Sequence, residues 1–420
     1  MGSFIIQGSN KLEGIVDIGG SKNAALPILA STVICGREYL LDNIPDIEDV
    51  RDMLEILRIM GCSVQYDNGV ALIDTRGLNT YKVPDKLVKK IRSSIILMGA
   101  VLQRTGKVEI AFPGGCEIGL RPIDLHLKGL RKLGVEITEK SGILVGSVNE
   151  TEGCEILLDY PSVGATENIM LYAVGVSGKT VIYNPAKEPE IVDLQNFLRV
   201  CGYSVNGAGT GAITIEGKNI EYTETVEYKI IPDRIEAGTY LSAAASMKSK
   251  IYIRNIEKSH FKSITSIYED AGCKIRETHG TIAISNDRRL NAIEKVTTQP
   301  YPGFPTDMQA QFMASMSLAD GITIVEETVF DSRFKHVPEL QKMGANITII
   351  GRVAVIEGME KLYGAEVESK DLRGGAALVI AALGAEGTTK INNIHHINRG
   401  YEKFVNKLQN LGAIITEVDD

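Results

Sequence analysis

ILRIMGCSV, residues 56–64, closes an apolar three-and-four pattern on Gly61 and turns at once into a strand-like run. The phrase returns as GLRKLGVEI (129–137), FLRVCGYSV (197–205), YEDAGCKI (268–275), LQKMGANI (340–347) and LQNLGAII (408–415). Its glycines, Gly61, Gly134, Gly202, Gly272, Gly344 and Gly412, are spaced 68 to 73 residues apart. A glycine just past a periodic apolar segment is a common helix stop. A fixed period of this kind marks a chain built from copies of one supersecondary unit. A second series, REYLLDNI, GKVEIAFP, GKTVIYNP, KIYIRNI, GITIVEET and GTTKINNI, runs in the same phase. Two independent phrases sharing one period make chance resemblance a poor account.

Each copy is assigned by pattern. SKNAALPILASTVICG and DLRGGAALVIAALGAEG are apolar nearly all round and predict a buried helix. A β-branched strand follows, then an amphipathic helix such as IPDIEDVRDMLEILRIMG, then two short strands. The fold class is therefore α/β, six α-β-α-β-β repeats. The sixth copy runs out at AIITEVDD, one strand short, while the chain begins with the strand-like FIIQGSNKLEGIVDIGG. We expect these N-terminal strands to complete the last repeat. That gives one lobe of 22–232 and another of 1–21 with 233–420, three repeats each, with a hinge where the chain crosses twice.

Composition limits the function. A chain of 420 residues exceeds what one hydrophobic core usually supports, in line with two lobes. A net charge of -8 with interspersed signs argues against broad nucleic-acid binding. The longest apolar run, Ala376 to Ala385, falls well short of the roughly 20 residues a membrane helix needs. No membrane insertion is expected, and the N-terminus carries no export pattern. Six cysteines form no CxxC pair and the histidines no HExxH spacing, so reduced thiols and no metal site are expected, in a cytoplasmic protein.

The polar residues fall at equivalent places. The buried helices start at Ser21-Lys22-Asn23, Arg92-Ser93, Ser162-Val163-Gly164, Asp233-Arg234, Thr306-Asp307 and Asp371-Leu372-Arg373. Ser21, Ser162, Asp233 and Thr306 are read as N-caps. Capping does not account for the cations, which oppose the helix dipole and cost a few tenths of a kcal/mol or more each. A bound phosphate or carboxylate would offset that cost. The second helices start near Pro45–Asp49, Cys116–Asp124, Ala186–Glu190, Phe330–His336 and His396–Glu402, adding Arg121, Arg333 and Arg399. If equivalent ends face one another across the lobes, an acidic protein acquires an electropositive cleft. Asp307 places a carboxylate where other copies place a cation or amide; a helix-start residue and a general base for a hydroxyl both fit it. Cys116, after Pro113-Gly114-Gly115 and near Arg121, is either an incidental turn cysteine or a reachable thiol on a lid.

Taken together, GGSKNAALPIL, FPGGCEIGLRPIDLH, SVGAT, NPAKEPEIVD, IPDRIEAGTY, FPTDMQAQ, TVFDSRFKHVPEL, KDLRGGAALV and HHINRGYE resemble the enolpyruvyl transferases of the UDP-N-acetylglucosamine 1-carboxyvinyltransferase type. The resemblance runs the length of the chain. It implies a two-lobed inverse α/β barrel and transfer of enolpyruvyl from phosphoenolpyruvate to the 3'-hydroxyl of UDP-N-acetylglucosamine, with no cofactor. The shikimate-pathway relatives share the fold but lack the cysteine loop; that type, and a non-catalytic sugar-nucleotide binder, are the alternatives.

By resemblance, Cys116 donates a proton and can carry a covalent phospholactoyl adduct. Lys22, Arg121 and Arg399 hold phosphate, with Asn23 beside Lys22. Arg333 and Arg373 meet the carboxylate or developing charge, and Asp307 contacts the sugar hydroxyl as base. Arg92, the segment Arg121, Pro122, Ile123, Asp124 and Leu125, then Ser162, Val163 and Val329 match sugar-nucleotide contacts. Tyr160 matches less closely, since some relatives carry lysine there. Glu190 and His396 are read as capping or supporting residues.

Overall fold

The computed structural model describes residues 2–113, 123–218 and 224–419, in two compact units. One holds residues 20–113, 123–218 and 224–231; the other holds 2–19 and 232–419. Each has its own apolar core, one running from Ala24 to Ile230 and the other from Phe4 to Ile415.

The six aligned glycines all have positive φ, between 87° and 101°. A side chain there would be strained, which is why glycine recurs. In five copies the next amide reaches back to the helix, as Cys62 N–H donates to the Leu57 carbonyl at 3.0 Å and Ala413 N–H to that of Leu408 at 3.0 Å. This left-handed stop satisfies carbonyls the helix leaves open and reverses the chain into a strand. The second series has its own left-handed residue, Asn43, Asn184, Asn255 and Asn393, with φ of 53° to 60°. Asparagine tolerates that conformation better than other residues with a Cβ.

Each unit contains three sheets. The helices that read as apolar all round are the interior ones: Lys22–Ser31, Leu97–Thr105 and Val163–Ala173 in one unit, Arg234–Ser246, Gln309–Met316 and Leu372–Gly384 in the other. In the second unit each of the three packs on the other two. Helices inside and sheets outside is the inverse of a barrel with a strand core.

The repeat differs from α-β-α-β-β in one respect. Before the interior helix a short strand pairs in parallel with the strand after it, as Glu155–Leu157 does with Gly178–Tyr183. The unit is β-α-β-α-β-β. Three-residue strands such as Lys295–Thr297 and Glu366–Glu368 are too short to show alternation in sequence. In the second copy this strand shrinks to a bridge between Lys82 and Glu109, leaving three strands.

The N-terminal strands also part company. Ser3–Gln7 lies between Thr388–Asn392 and Ile414–Val418, filling the place the sixth copy lacks. Glu13–Asp17 instead pairs in parallel with Lys250–Arg254, so only the first N-terminal strand joins the last repeat. Val226–Lys229 makes the reciprocal exchange and pairs with Glu38–Asp42. Two leading strands are thus traded between the first and fourth copies, both in parallel pairings.

Candidate active site

Departures from the repeat coincide with the candidate residues. The second and fifth interior helices open with 3-10 turns, Arg92–Ile96 and Thr306–Met308, which carry Arg92 and Asp307. The last amphipathic helix is split into His395–Asn398 and Phe404–Asn410, with Arg399 at the break. Irregular turns at positions where other copies continue smoothly re-aim single side chains.

In the unit containing Lys22, the interior helix begins with that lysine, and its ammonium lies 2.7 Å from the Asp49 carboxylate. The two side chains are 13% and 5% exposed, so this pair is largely out of water. Asp49 comes from the first turn of the amphipathic helix Glu48–Ile59. Asn23, next along, is half-buried, as are Arg92, Leu125, Ser162 and Val163; Ile123 is buried and Asp124 exposed. Ser162 caps its helix by accepting from Ala165 N–H at 3.3 Å. Ser21 does not cap: its hydroxyl is buried and makes no hydrogen bond. Cys116, Arg121 and Pro122 lie outside the described residues, so no geometry is assigned to the Pro-Gly-Gly-Cys segment.

His126, the histidine nearest Cys116 in sequence, is buried in the helix Asp124–Lys132. Asn168 donates to its Nδ1 at 3.0 Å and to the Ile95 carbonyl at 3.0 Å, while the Asn168 oxygen accepts from Gly99 N–H at 2.6 Å. With both amide hydrogens and the oxygen committed, Nδ1 is an acceptor. Burial, helped by Arg92, pushes the imidazole down from 6.5 to about 4. It is therefore a neutral packing group. Glu167 on the next interior helix is buried and held well above the usual carboxylate range by burial, then by Glu190 and Glu188. Glu190 itself is buried inside the helix Pro189–Val200.

The depressed His126 pKa has a consequence for stability. The unfolded chain takes up a proton near pH 6.5 and the folded chain only near 4, so this contribution is present above about 6.5 and is lost as pH falls toward 4. A shift of this size is worth about 3 kcal/mol. His126→Gln should flatten the pH dependence of urea-unfolding free energy between pH 6.5 and 4 by about one proton. An unchanged slope would refute the assignment.

In the other unit three candidates meet. Arg333 donates to Asp307 Oδ1 at 2.6 Å and Arg373 to Oδ2 at 3.1 Å. The guanidiniums are 3% and 5% exposed, the carboxylate 26%. Burial opposes the Arg373 charge, but Asp307 and Tyr401 outweigh it and raise its pKa. Val329 is half-buried; its N–H and that of Phe330 donate to Glu327 Oε1 at 2.8 and 3.0 Å. Thr306, read as an N-cap, instead donates to the other Glu327 oxygen at 2.8 Å. Asp233 caps as expected, accepting from Ile235 and Glu236 N–H. Arg399 is half-buried, and His396 stacks on His395 with ring centroids 4.0 Å apart.

Two of the helix-start cations have carboxylate neighbours within the chain. Lys22 and Arg373, read as helix-start cations awaiting an anion, already face carboxylates of the chain, Asp49 and Asp307. Sequence reading also passed over Asp49 and Glu327 as site-organising residues. The signal for Glu327 was present, since it stands where four other copies have asparagine. Asp49 had no signal, because an acidic residue in a first helical turn is ordinary. Among the described residues no group of three His, Cys, Asp or Glu is placed to hold a metal ion.

The arrangement supplies carboxylate-aimed cations and a partly exposed carboxylate braced by two guanidiniums. Known proteins are similar to the chain along its whole length. Residues 6–408 match the family model of EPSP synthase (3-phosphoshikimate 1-carboxyvinyltransferase). The chain is 49% identical to UDP-N-acetylglucosamine 1-carboxyvinyltransferase 2 of Caldanaerobacter subterraneus, covering 100% of both, and 46% identical to the Thermotoga petrophila protein of the same activity, covering 100% and 99%. In fold it is similar to the enolpyruvyl transferase NikO from Streptomyces tendae, with TM-score 0.91, 24% identity and 99% of both chains covered. EPSP synthase from Acinetobacter baumannii gives TM-score 0.77 at 20% identity, covering 100% of both.

Proposed function

The chain belongs to the EPSP synthase family, and we infer from its relatives that it transfers the enolpyruvyl group of phosphoenolpyruvate to the 3'-hydroxyl of UDP-N-acetylglucosamine, releasing phosphate, at the entry to peptidoglycan precursor synthesis. The observation that carries the choice of acceptor is 49% identity from end to end with a relative named for that activity. The 20% likeness to EPSP synthase supports the fold and not the shikimate-type acceptor. No helix among the described residues is long and apolar enough to cross a membrane.

The chemistry asks for three things: a grip on a multiply charged anion, a proton for C3 of phosphoenolpyruvate, and a base for the sugar hydroxyl. The hydroxyl oxygen bonds to C2 as C3 gains its proton; the tetrahedral adduct then loses a C3 proton and phosphate. In our assignment Lys22, Arg121 and Arg399 hold the phosphate, Lys22 being aimed by Asp49. Cys116 delivers the C3 proton. Asp307 takes the hydroxyl proton, and Arg333 and Arg373 stabilise its charged form and the charge that develops beside it. Arg92, Asn23, the 121–125 segment, Ser162, Val163 and Val329 contact the sugar nucleotide.

Phosphate release from phosphoenolpyruvate should require UDP-N-acetylglucosamine and proceed in step with enolpyruvyl product. Release that ignores the sugar nucleotide, or requires shikimate 3-phosphate instead, would overturn this reading. A non-catalytic binder is disfavoured because Lys22, Cys116, Asp307 and Arg399 are all present.

A further inference from the structure

Asp307 is braced by Arg373, and Arg373 is itself braced by a group that no candidate set includes. Its Nη1 donates to the Tyr401 hydroxyl at 3.3 Å, and its guanidinium lies 5.6 Å from the centre of the Tyr401 ring. Tyr401 is 3% exposed. Its hydroxyl also lies 2.8 Å from the Thr239 hydroxyl, and the Gln311 side-chain nitrogen is 3.3 Å from both oxygens.

The direction of these bonds can be worked out. Arginine only donates, so the Tyr401 oxygen accepts from Arg373. The Thr239 hydroxyl gives its hydrogen to the Ile235 carbonyl at 2.8 Å, inside its own helix. It must therefore accept from Tyr401. The phenol points its proton away from Arg373 and its lone pair toward it. Burial raises the Tyr401 pKa, so the phenol stays neutral, with Arg373 acting in the opposite sense.

We propose that Tyr401 is a positioning residue for the transfer reaction: it fixes the Arg373 guanidinium, and through it the orientation of the Asp307 carboxylate. This rests on the activity inferred above. The line runs from the interior helix Arg234–Ser246 through Thr239, Tyr401 and Arg373 to the carboxylate. A guanidinium held at both ends keeps its second nitrogen on Asp307 without losing rotamer freedom during turnover. The charged and titratable groups around this line include Arg333 and His336 before the helix Val337–Lys342, Asp371 and Arg373 at the start of Leu372–Gly384, Tyr240 in the helix Arg234–Ser246, which interacts with Tyr401, and Asp233, which acts on both Arg373 and Tyr401.

Tyr401→Phe keeps the ring and deletes the acceptor. With the wild type active, the variant should lose about 10-fold in kcat while KM for either substrate moves less than about 2-fold, the pattern of an interaction needed only in the transition state. Combined with Arg373→Lys, Tyr401→Phe should add no further loss. A lower melting temperature with unchanged kcat, or losses that multiply in the double variant, would overturn the proposal. Should Tyr401→Phe fail to fold, Thr239→Val removes the acceptor of the phenolic proton at nearly constant shape and must lower kcat with KM nearly unmoved; an unchanged kcat overturns the proposal equally. A wild-type protein releasing no phosphate from phosphoenolpyruvate and UDP-N-acetylglucosamine would instead fail the parent activity, a separate result.

Discussion

Asp307→Asn is expected to lower kcat by between about 10²- and 10⁴-fold, the range a positioned general base contributes. Asparagine matches the shape of aspartate and its carbonyl still accepts from one guanidinium, but it cannot take the sugar proton. It also leaves Arg333 and Arg373, 3% and 5% exposed, without the negative charge they share. Breaking a buried pair from one side costs about 3–5 kcal/mol. The 26% exposure of Asp307 places this case toward the lower end, because water screens part of the interaction. Activity and stability must therefore be read separately. Steady-state phosphate release gives kcat, and urea unfolding gives the fraction folded under assay conditions. A folded Asp307→Asn protein with kcat within 10-fold of wild type would remove Asp307 from the role of base and return it to that of a helix-start residue.

Lys22→Gln is expected to lower kcat/KM for phosphoenolpyruvate by about 10²–10³-fold, as for loss of one preorganised charged donor to a transition-state anion. The same change takes the ammonium away from Asp49, whose side chain is 5% exposed, so it should also destabilise the fold by up to about 3 kcal/mol. The two effects can be parted. Lys22→Gln with Asp49→Asn removes both charges from a buried pair, which is often near neutral for stability, and should recover most of the lost unfolding free energy. It should recover none of the activity. If the double variant regains phosphoenolpyruvate turnover, Lys22 serves the packing of its helix and not the substrate. Asp49→Asn alone should keep part of the activity with a raised KM for phosphoenolpyruvate, since the ammonium remains but is no longer aimed.

The candidate residues were legible to different degrees. Lys22, Asp307 and Arg373 could be singled out because the repeat supplies six equivalent helix starts against which a cation or carboxylate is anomalous. Arg333 and Arg399 precede second helices and gained weight in the same way. What those residues touch could not be read. The cations were taken to await a bound anion, whereas Asp49 and Asp307 already stand beside two of them. The partner of Lys22 is 27 residues away along the chain, and the acceptor for Arg373 is 66 away. Such pairs depend on how two helix starts converge, and periodicity within one segment carries no information about that. Tyr401 is a stronger instance: in HINRGYE it reads as one more aromatic at a helix approach, and its hydroxyl acquires meaning only once Thr239 and Arg373 are packed around it.

By itself the sequence determined the repeat: six glycines at helix stops, interior helices apolar nearly all round and a strand missing at one end are properties of short segments, set by sterics and by the spacing of apolar side chains. Tertiary structure alone decided which repeat each leading strand joins: Glu13–Asp17 pairs with Lys250–Arg254 and Val226–Lys229 with Glu38–Asp42, and the pattern within a short strand names no partner. It alone decided the pairing of buried charges as well. A charge withdrawn from water is stable only beside a specific partner, and that partner is chosen by the packing of distant helices.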